Sequence, residues 1–176
     1  MFVSIGTGIG SGIVIDGRLH RGASGAAGEI GYMVIDHTWS GSTTYDFGCF
    51  ESMAAAGAIA AMAAEALGVD DALPEDLFRA AGSGHRAAGQ AVKAIADRIA
   101  AAFSCIAALI DPQAIVIGGG ISGAGEVLLE PVRERLAQLS PFAPELRASR
   151  LGTDAGLVGA AVLGIEEIKE RALQSI

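Results

Sequence analysis

The sequence has few cysteines and few lysines, and each shortage excludes a class of protein. Its 176 residues include two cysteines, Cys49 and Cys105, which are too few for the disulfide framework of a small secreted protein. The two lysines, Lys93 and Lys169, and the net charge of −8 argue against a basic nucleic-acid-binding face. No apolar run reaches the roughly 20 residues that span a bilayer, and the N-terminus lacks the charged start of a signal peptide. We therefore expect a cytoplasmic protein without a membrane partner.

What is present favours a packed α/β domain. Hydrophobic residues make up 51% of the sequence, and the length is sufficient for a sizeable core in one domain over residues 1–176. The predicted strands are Phe2–Ile5, Ile13–Ile15, Tyr32–Ile35, Ala114–Ile117 and Glu145–Arg150. The predicted helices are Cys49–Leu67, Pro74–Ala81, His85–Ile110, Glu126–Gln138 and Asp154–Leu173. This order predicts strand hairpins followed by an α-β-α-β-α series, with helices packed on the sheet and the apolar strand Ala114–Ile117 at its centre.

A glycine-rich run, residues 6–12, connects the first two predicted strands and begins with the loop Gly6-Thr7-Gly8. Glycines let the backbone approach an anion closely, and Thr7 adds a hydroxyl donor, so the loop could hold a phosphate. Glycines in a strand also mark simple bulges or close backbone contacts. It is not a Walker loop, because no Gly-Lys-Ser/Thr follows, and it is not a dinucleotide fingerprint, because a strand follows instead of a helix. Further on, Asp16-Gly17 predicts a tight hairpin turn with positive φ at both residues.

Two further segments are candidate ligand sites. Glu29 lies among small residues in Gly28-Glu29-Ile30-Gly31, where a carboxylate beside a phosphate-sized loop could bind a ligand. Gly118, Gly119 and Gly120 follow the predicted central strand, at the position where open α/β sheets bind ligands. A tight strand-to-helix turn without a ligand explains these three glycines equally well.

The stretch GTGIGSGIVIDGRLHRGASGAAGEIG, residues 6–31, resembles the signature of the ROK family of sugar kinases and sugar-responsive repressors. Gly48-Cys49-Phe50-Glu51, the segment 115–121 and the segment 154–161 follow in the order typical of that family. The resemblance implies the C-terminal lobe of an actin-like ATPase, ribonuclease H-like sugar-kinase fold. The family's N-terminal lobe, with its first phosphate loop and its catalytic aspartate, has no counterpart in this sequence.

The resemblance also implies roles for individual residues. Glu29, Tyr32 and Glu51 match positions that bind sugar hydroxyls, which suit carboxylate acceptors. The alternative is that Glu51 is only a helix-start charge and Glu29 only a loop residue. By the same resemblance, Gly6, Thr7 and Gly8 would hold the nucleotide phosphates, and the glycines of segment 118–120 the adenosine.

The sequence departs from the zinc-containing members of this family. Tyr32 stands where those members have histidine, and a phenol is a poor zinc ligand. At the matching cysteine positions this chain has Ser42, Thr44 and Cys49. We therefore predict that no structural zinc is bound. Cys105, on the longest predicted helix, is expected to be a small core residue.

Three functions are compatible with these residues. The first, which the sequence favours because Glu29 and Glu51 are retained while the zinc residues are not, is the sugar-sensing lobe of a ROK-type transcriptional regulator, whose DNA contact would come from a separate N-terminal domain. The second is half of an ATP-dependent hexose kinase that uses ATP and Mg²⁺. The third is a degenerate relative that mainly forms a homodimer. No catalytic residue is assigned, because Asp16 is predicted in a hairpin turn and Asp111 at a helix end.

Overall fold

A five-stranded sheet forms one layer of the protein. The computed structural model describes residues 1–39 and 47–174. The strands lie in the order β3-β2-β1-β4-β5. Their bounds are Phe2–Ile5 (β1), Ile9–Ile15 (β2), Arg18–His20 (β3), Ala114–Gly118 (β4) and Glu145–Ala148 (β5). β1, β2 and β3 are antiparallel neighbours, whereas β4 runs parallel to both β1 and β5. The prediction of a central, parallel strand after residue 113 is confirmed.

Six α-helices complete the fold over the described residues. They are Cys49–Ala54 (α1), Ala56–Leu67 (α2), Pro74–Gly82 (α3), Arg86–Ile110 (α4), Glu126–Leu139 (α5) and Ala155–Gln174 (α6). Short 3₁₀ turns lie at Ile30–Tyr32, Gly120–Ala124 and Gly152–Asp154. Helix α4 is the centre of the core, because its residues at spacings of three and four are buried. These residues are Ala88, Val92, Ile95, Ile99, Phe103 and Ile106.

The β2–β3 hairpin has the turn that its sequence predicts. Asp16 and Gly17 have φ values of 52° and 77°, as a two-residue type I′ turn requires. In the β1–β2 hairpin, Ile5 pairs with Ile9, so the predicted phosphate loop is a three-residue connection. Because β1 and β4 are parallel, this loop and the turn that follows β4 lie at the same edge of the sheet.

Three predicted elements are wrong in detail. The second strand begins at Ile9 and not at Ile13, because residues 9–12 pair with β1. Residues 32–35 do not form a strand: the chain makes a 3₁₀ turn at Ile30–Tyr32, and the Met33 carbonyl accepts from Phe50 N–H, 3.1 Å away. The predicted helix over residues 49–67 breaks at Ala55, whose ψ of 169° is extended. The break leaves Ala56 N–H to donate to the Gly6 carbonyl at 2.8 Å. A tertiary contact therefore overrides the helical preference of the alanine-rich segment.

The two cysteines also differ from each other. Cys49 is buried, whereas Cys105 is exposed, so the expectation that Cys105 lies in the core is wrong. The reason is helical geometry: Cys105 is two residues from buried Phe103, which places it about 200° around α4 from the core-facing side.

The described residues contain one helical stretch, Cys49–Leu67, that is long and apolar enough to cross a membrane by length and composition. In the fold this stretch is the broken pair α1 and α2. Its side chains include Phe50, Ala54, Ile59 and Ala63, all buried in the core. A core helix passes the same composition test, so the stretch is weak support for a membrane span.

Candidate functional site

The loop between β1 and β2 is a narrow turn with little room for side chains. Gly6 N–H donates to the Gly8 carbonyl at 2.9 Å, which closes the turn, and the Thr7 side chain is exposed. Within the described parts of the chain, the amides of Thr7 and Gly8 have no protein acceptor. These two N–H groups and the Thr7 hydroxyl are therefore the donors that the loop can offer to an anion.

Gly6 and Gly8 face different neighbours. A Cβ at Gly8 would lie 2.7 Å from Oε2 of Glu51, and a Cβ at Gly6 would lie 3.8 Å from the amide nitrogen of Gly120. One arm of the loop thus borders Glu51, and the other borders the turn after β4. The loop lies between the two regions that the sequence predicts as sugar-binding and nucleoside-binding.

The turn that carries Glu29 and Tyr32 is clamped by close backbone packing. The Gly28 carbonyl accepts from both the N–H and the hydroxyl of Ser11 on β2, at 2.9 and 2.7 Å. A Cβ at Gly31 would lie 2.7 Å from the Ile9 carbonyl and 3.2 Å from Oε2 of Glu51. Only glycine therefore fits between β2 and α1 at this point.

The structure brings the three predicted sugar-binding residues to one region without burying them equally. Glu29 and Tyr32 flank Gly31 and are exposed, whereas Glu51 is half-buried at the start of α1. One oxygen of Glu51, Oε2, already accepts from Ile9 N–H at 2.5 Å. The arrangement leaves two exposed side chains beside a carboxylate that is fixed to the loop.

The three glycines at the end of β4, Gly118 to Gly120, have separate roles. A Cβ at Gly118 would lie 2.5 Å from the Phe2 ring, and one at Gly119, where φ is 80°, would lie 2.5 Å from the Ile5 carbonyl. These two glycines are explained by close packing against β1. A Cβ at Gly120 would meet no atom within 4 Å, so this is the glycine that faces open space.

A cleft runs from the loop across Gly120. A cavity of about 50 Å³ near Gly6 and a larger one of about 320 Å³ share three lining residues, Pro74, Glu75 and Gly120. The far end of the larger cavity is lined by the residues Phe78, Arg79, Gly82, Gly123, Ala124 and Val127. The lining of the cleft is thus mostly apolar, with the two charged side chains Glu75 and Arg79 and with Gly6 of the loop at one end. This pattern is typical of a ligand site.

Helix α3 was not predicted to contribute to the site. It presents Glu75, Phe78 and Gly82 to the cleft, at spacings of three and four that place them on one helical face. Its start is fixed by Asp76, whose side chain accepts from Leu73 N–H at 3.0 Å and pairs with Arg79. The Leu73 N–H hydrogen bond, with a smaller effect of Arg79, lowers the pKa of the Asp76 carboxyl.

The prediction of no structural zinc stays a prediction. Ser42 and Thr44, at two of the matching positions, lie outside the described residues. Over residues 1–39 and 47–174, no three His, Cys, Asp or Glu side chains are grouped in a way that could hold a metal ion.

Comparisons with known proteins identify the family. The model of the ROK family matches residues 1–167. The chain belongs to the ROK family. The N-acetylmannosamine kinase of Salmonella typhi is 38% identical over 164 residues, which cover 93% of this chain and 55% of that kinase. The chain therefore spans about half the length of this curated relative.

Solved ROK structures share the fold. A ROK family glucokinase from Streptomyces griseus, in complex with glucose and AMPPNP, superposes with a TM-score of 0.82 at 30% identity. The match covers 92% of this chain and 59% of that enzyme. A ROK family transcriptional regulator, a homologue of the E. coli MLC protein, superposes at 0.71 and 28% identity, over 84% of this chain and 40% of that protein. The chain has the actin-like ATPase fold of ROK sugar kinases, as the sequence predicts.

Proposed function

We propose that this chain is the sugar- and nucleotide-binding lobe of an ATP-dependent sugar kinase. The observation that carries the proposal is the position of the Gly6–Gly8 loop, which borders Glu51 on one side and the Gly120 cleft on the other. Phosphoryl transfer needs the terminal phosphate to lie between the nucleoside and the attacking hydroxyl. The loop occupies the place between the two proposed subsites.

The nucleotide would lie along the cleft. The amides of Thr7 and Gly8 would donate to the terminal phosphates, and Gly120 would let the sugar of the nucleoside approach the backbone. The base would enter the larger cavity between Phe78 and Val127, whose volume of about 320 Å³ is within the range of small-molecule sites. A Mg²⁺ ion bound with the nucleotide would supply charge neutralisation of the phosphates, and no residue of this chain is assigned as its ligand.

The sugar would lie beside the turn of Glu29. The carboxylate of Glu29 and the remaining oxygen of Glu51 would accept hydrogen bonds from sugar hydroxyls, and the Tyr32 hydroxyl would donate to another. The substrate class we propose is a hexose or an N-acylated hexosamine, in line with the named N-acetylmannosamine and glucose kinases among the relatives. The base that takes the proton of the attacking hydroxyl would come from a second lobe outside this sequence.

Titration calorimetry tests this proposal directly. We expect the titration of ATP into the chain to produce a saturable heat signal. We expect the same of at least one sugar from a panel that contains glucose and N-acetylmannosamine.

Binding of a sugar without any binding of ATP would instead select the second candidate function. That candidate is the sugar-sensing lobe of a ROK regulator, and the structural neighbour that is a transcriptional regulator supports it. The named relatives that are kinases favour the kinase, so the preference for a regulator drawn from the sequence alone is revised.

The homodimer predicted from the sequence remains a proposal, as does a cytoplasmic location. Helix α6 supports self-association, because Leu157, Ile165 and Ile168 on it are more than half exposed at 74%, 54% and 69%. These three side chains lie on one side of the helix, at spacings of eight and three residues. Sedimentation velocity over a range of protein concentrations tests for the dimer, with Ile168→Glu as the variant expected to weaken it.

A further inference from the structure

Glu51 is attached to the phosphate loop itself. Its Oε2 accepts from Ile9 N–H, the first amide after the loop, at 2.5 Å. The same oxygen lies where a Cβ at Gly8 would be only 2.7 Å away. The carboxylate thus packs against one arm of the loop and fixes the direction of its last peptide group.

The other arm of the loop, at Gly6, is held by α2, the helix that follows α1. Ala56 N–H donates to the Gly6 carbonyl at 2.8 Å, a bond that exists because the helix breaks at Ala55. Arg98 on α4 stabilises the break by donating to the Met53 carbonyl at 2.7 Å. The start of α1 therefore holds the Gly8 arm through the side chain of Glu51, and the start of α2 holds the Gly6 arm through a backbone N–H.

From these contacts we infer that Glu51 is a positioning residue for the phosphate loop, in addition to any contact with sugar. Its hydrogen bond to Ile9 N–H would keep the Thr7 and Gly8 amides directed toward the bound phosphates. This inference rests on the proposed function, because it takes the loop to be the phosphate site. It assigns to Glu51 an effect on anion affinity that a residue contacting sugar alone would not have.

The sign of that effect separates positioning from simple electrostatics. A carboxylate beside an anion repels it, so removal of Glu51 would strengthen phosphate binding if only its charge mattered. If Glu51 positions the loop, loss of its acceptor oxygen weakens binding although a repulsive charge has been removed. Glutamine separates the two effects, because it lacks the charge and keeps an acceptor oxygen at the same reach.

The test is calorimetric titration of inorganic tripolyphosphate, which contacts no nucleoside or sugar subsite, into the wild-type chain and three variants. We expect Glu51→Ala to weaken tripolyphosphate binding about tenfold, the size of one hydrogen bond to a charged group. Glu51→Gln is expected to bind as tightly as wild type or more tightly. Glu51→Asp keeps the charge but shortens the side chain, and it is expected to weaken binding as Glu51→Ala does. Amide exchange at Ile9 should be faster in both weakened variants.

The outcomes are distinct. Alanine and aspartate variants that bind tripolyphosphate as tightly as wild type would overturn the inference and leave the proposed phosphate loop intact. Equal weakening by glutamine and alanine would also overturn it, because the acceptor oxygen would then be irrelevant. A wild-type chain that binds no tripolyphosphate would overturn the phosphate loop of the proposed function and this inference with it. If Glu51→Ala does not fold, as judged by circular dichroism, the aspartate and glutamine variants decide the question.

Discussion

Gly119 and Gly120 are adjacent residues with opposite tolerance for a side chain. Gly119 has φ of 80°, and a Cβ there would lie 2.5 Å from the Ile5 carbonyl, whereas a Cβ at Gly120 would meet nothing within 4 Å. We predict that Gly119→Ala lowers the free energy of unfolding by about 1–3 kcal/mol, the usual cost of a strained backbone position. Gly120→Ala should leave it within about 0.5 kcal/mol of wild type. Urea denaturation followed by circular dichroism measures both, and equal stability of the two variants would contradict the packing role of Gly119.

Gly123 allows the cavity proposed for the nucleotide base to be filled without disturbing the fold. It lines the larger cavity, and a Cβ there would meet no atom within 4 Å. We predict that Gly123→Leu weakens ATP binding at least about tenfold, because the added side chain occupies the space of the base. Tripolyphosphate binding should be unchanged, since the loop is untouched. Gly89→Leu, on the exposed side of α4, is the control of equal added volume. If calorimetry finds the ATP affinity of the Gly123→Leu variant unchanged, the nucleotide base does not bind in this cavity.

At the scale of elements, the start of α3 depends on one carboxylate. The hydrogen bond from Leu73 N–H lowers the pKa of Asp76, so the folded state favours the charged form. The stabilisation is therefore present above the unfolded pKa of about 3.8 and is lost as pH falls through the lower folded value. We predict that Asp76→Ala lowers the thermal midpoint at pH 7, and that its difference from wild type shrinks as pH falls below the unfolded pKa of about 3.8.

The control for the helix start is Asp71→Ala, which removes a carboxylate from the loop before α3. Thermal melts of the two variants and the wild type across the acid range give the comparison. Two results would show that the hydrogen bond from Leu73 N–H is not the source of the stabilisation. One is equal destabilisation by both substitutions at pH 7, and the other is an effect of Asp76→Ala that is the same at every pH.

The sequence predicts an element correctly where the local residue pattern determines its conformation. The prediction fails where a contact between distant parts of the chain determines it. The apolar spacing of Val92, Ile95 and Ile99 predicts α4 correctly, and Asp16-Gly17 predicts the hairpin turn. Nothing in the alanine-rich segment indicates a break at Ala55, because the break depends on a hydrogen bond to the distant Gly6 carbonyl. Residues 32–35 are apolar enough for a strand but bond to α1 instead of the sheet.

The candidate site shows the same division. The loop at Gly6–Gly8 and Glu29 are singled out by the resemblance of residues 6–31 to the family signature, and their ligand roles stay predictions. The face of α3 that lines the cleft could not be predicted, since the cavity forms only when Phe78 and Val127 meet across 49 positions of sequence. The separate roles of Gly119 and Gly120 depend on distances to neighbouring strands, which the sequence does not contain.

At the scale of the whole molecule, the lobe has binding groups but no assigned catalytic base. Among the described residues, Asp16 lies in the β2–β3 turn and Asp111 ends α4, and neither lines the cleft. We predict that the purified chain gives no sugar-dependent ADP formation in a coupled assay, because proton removal from the attacking hydroxyl requires a positioned base. Measurable turnover that depends on glucose or N-acetylmannosamine would show that this chain holds a complete active site.

The central claim is that the Gly6–Gly8 loop lies between a nucleotide subsite and a sugar subsite. Amide chemical shifts in the ¹⁵N spectrum of the chain, followed during titration with ATP and then with the sugar that binds, test it most directly. ATP is predicted to move the amides of Thr7, Gly8 and Gly120, and the sugar those of Glu29 and Gly31, with Gly8 affected by both. Saturable shifts confined to residues away from the loop and from Gly120 would contradict the account.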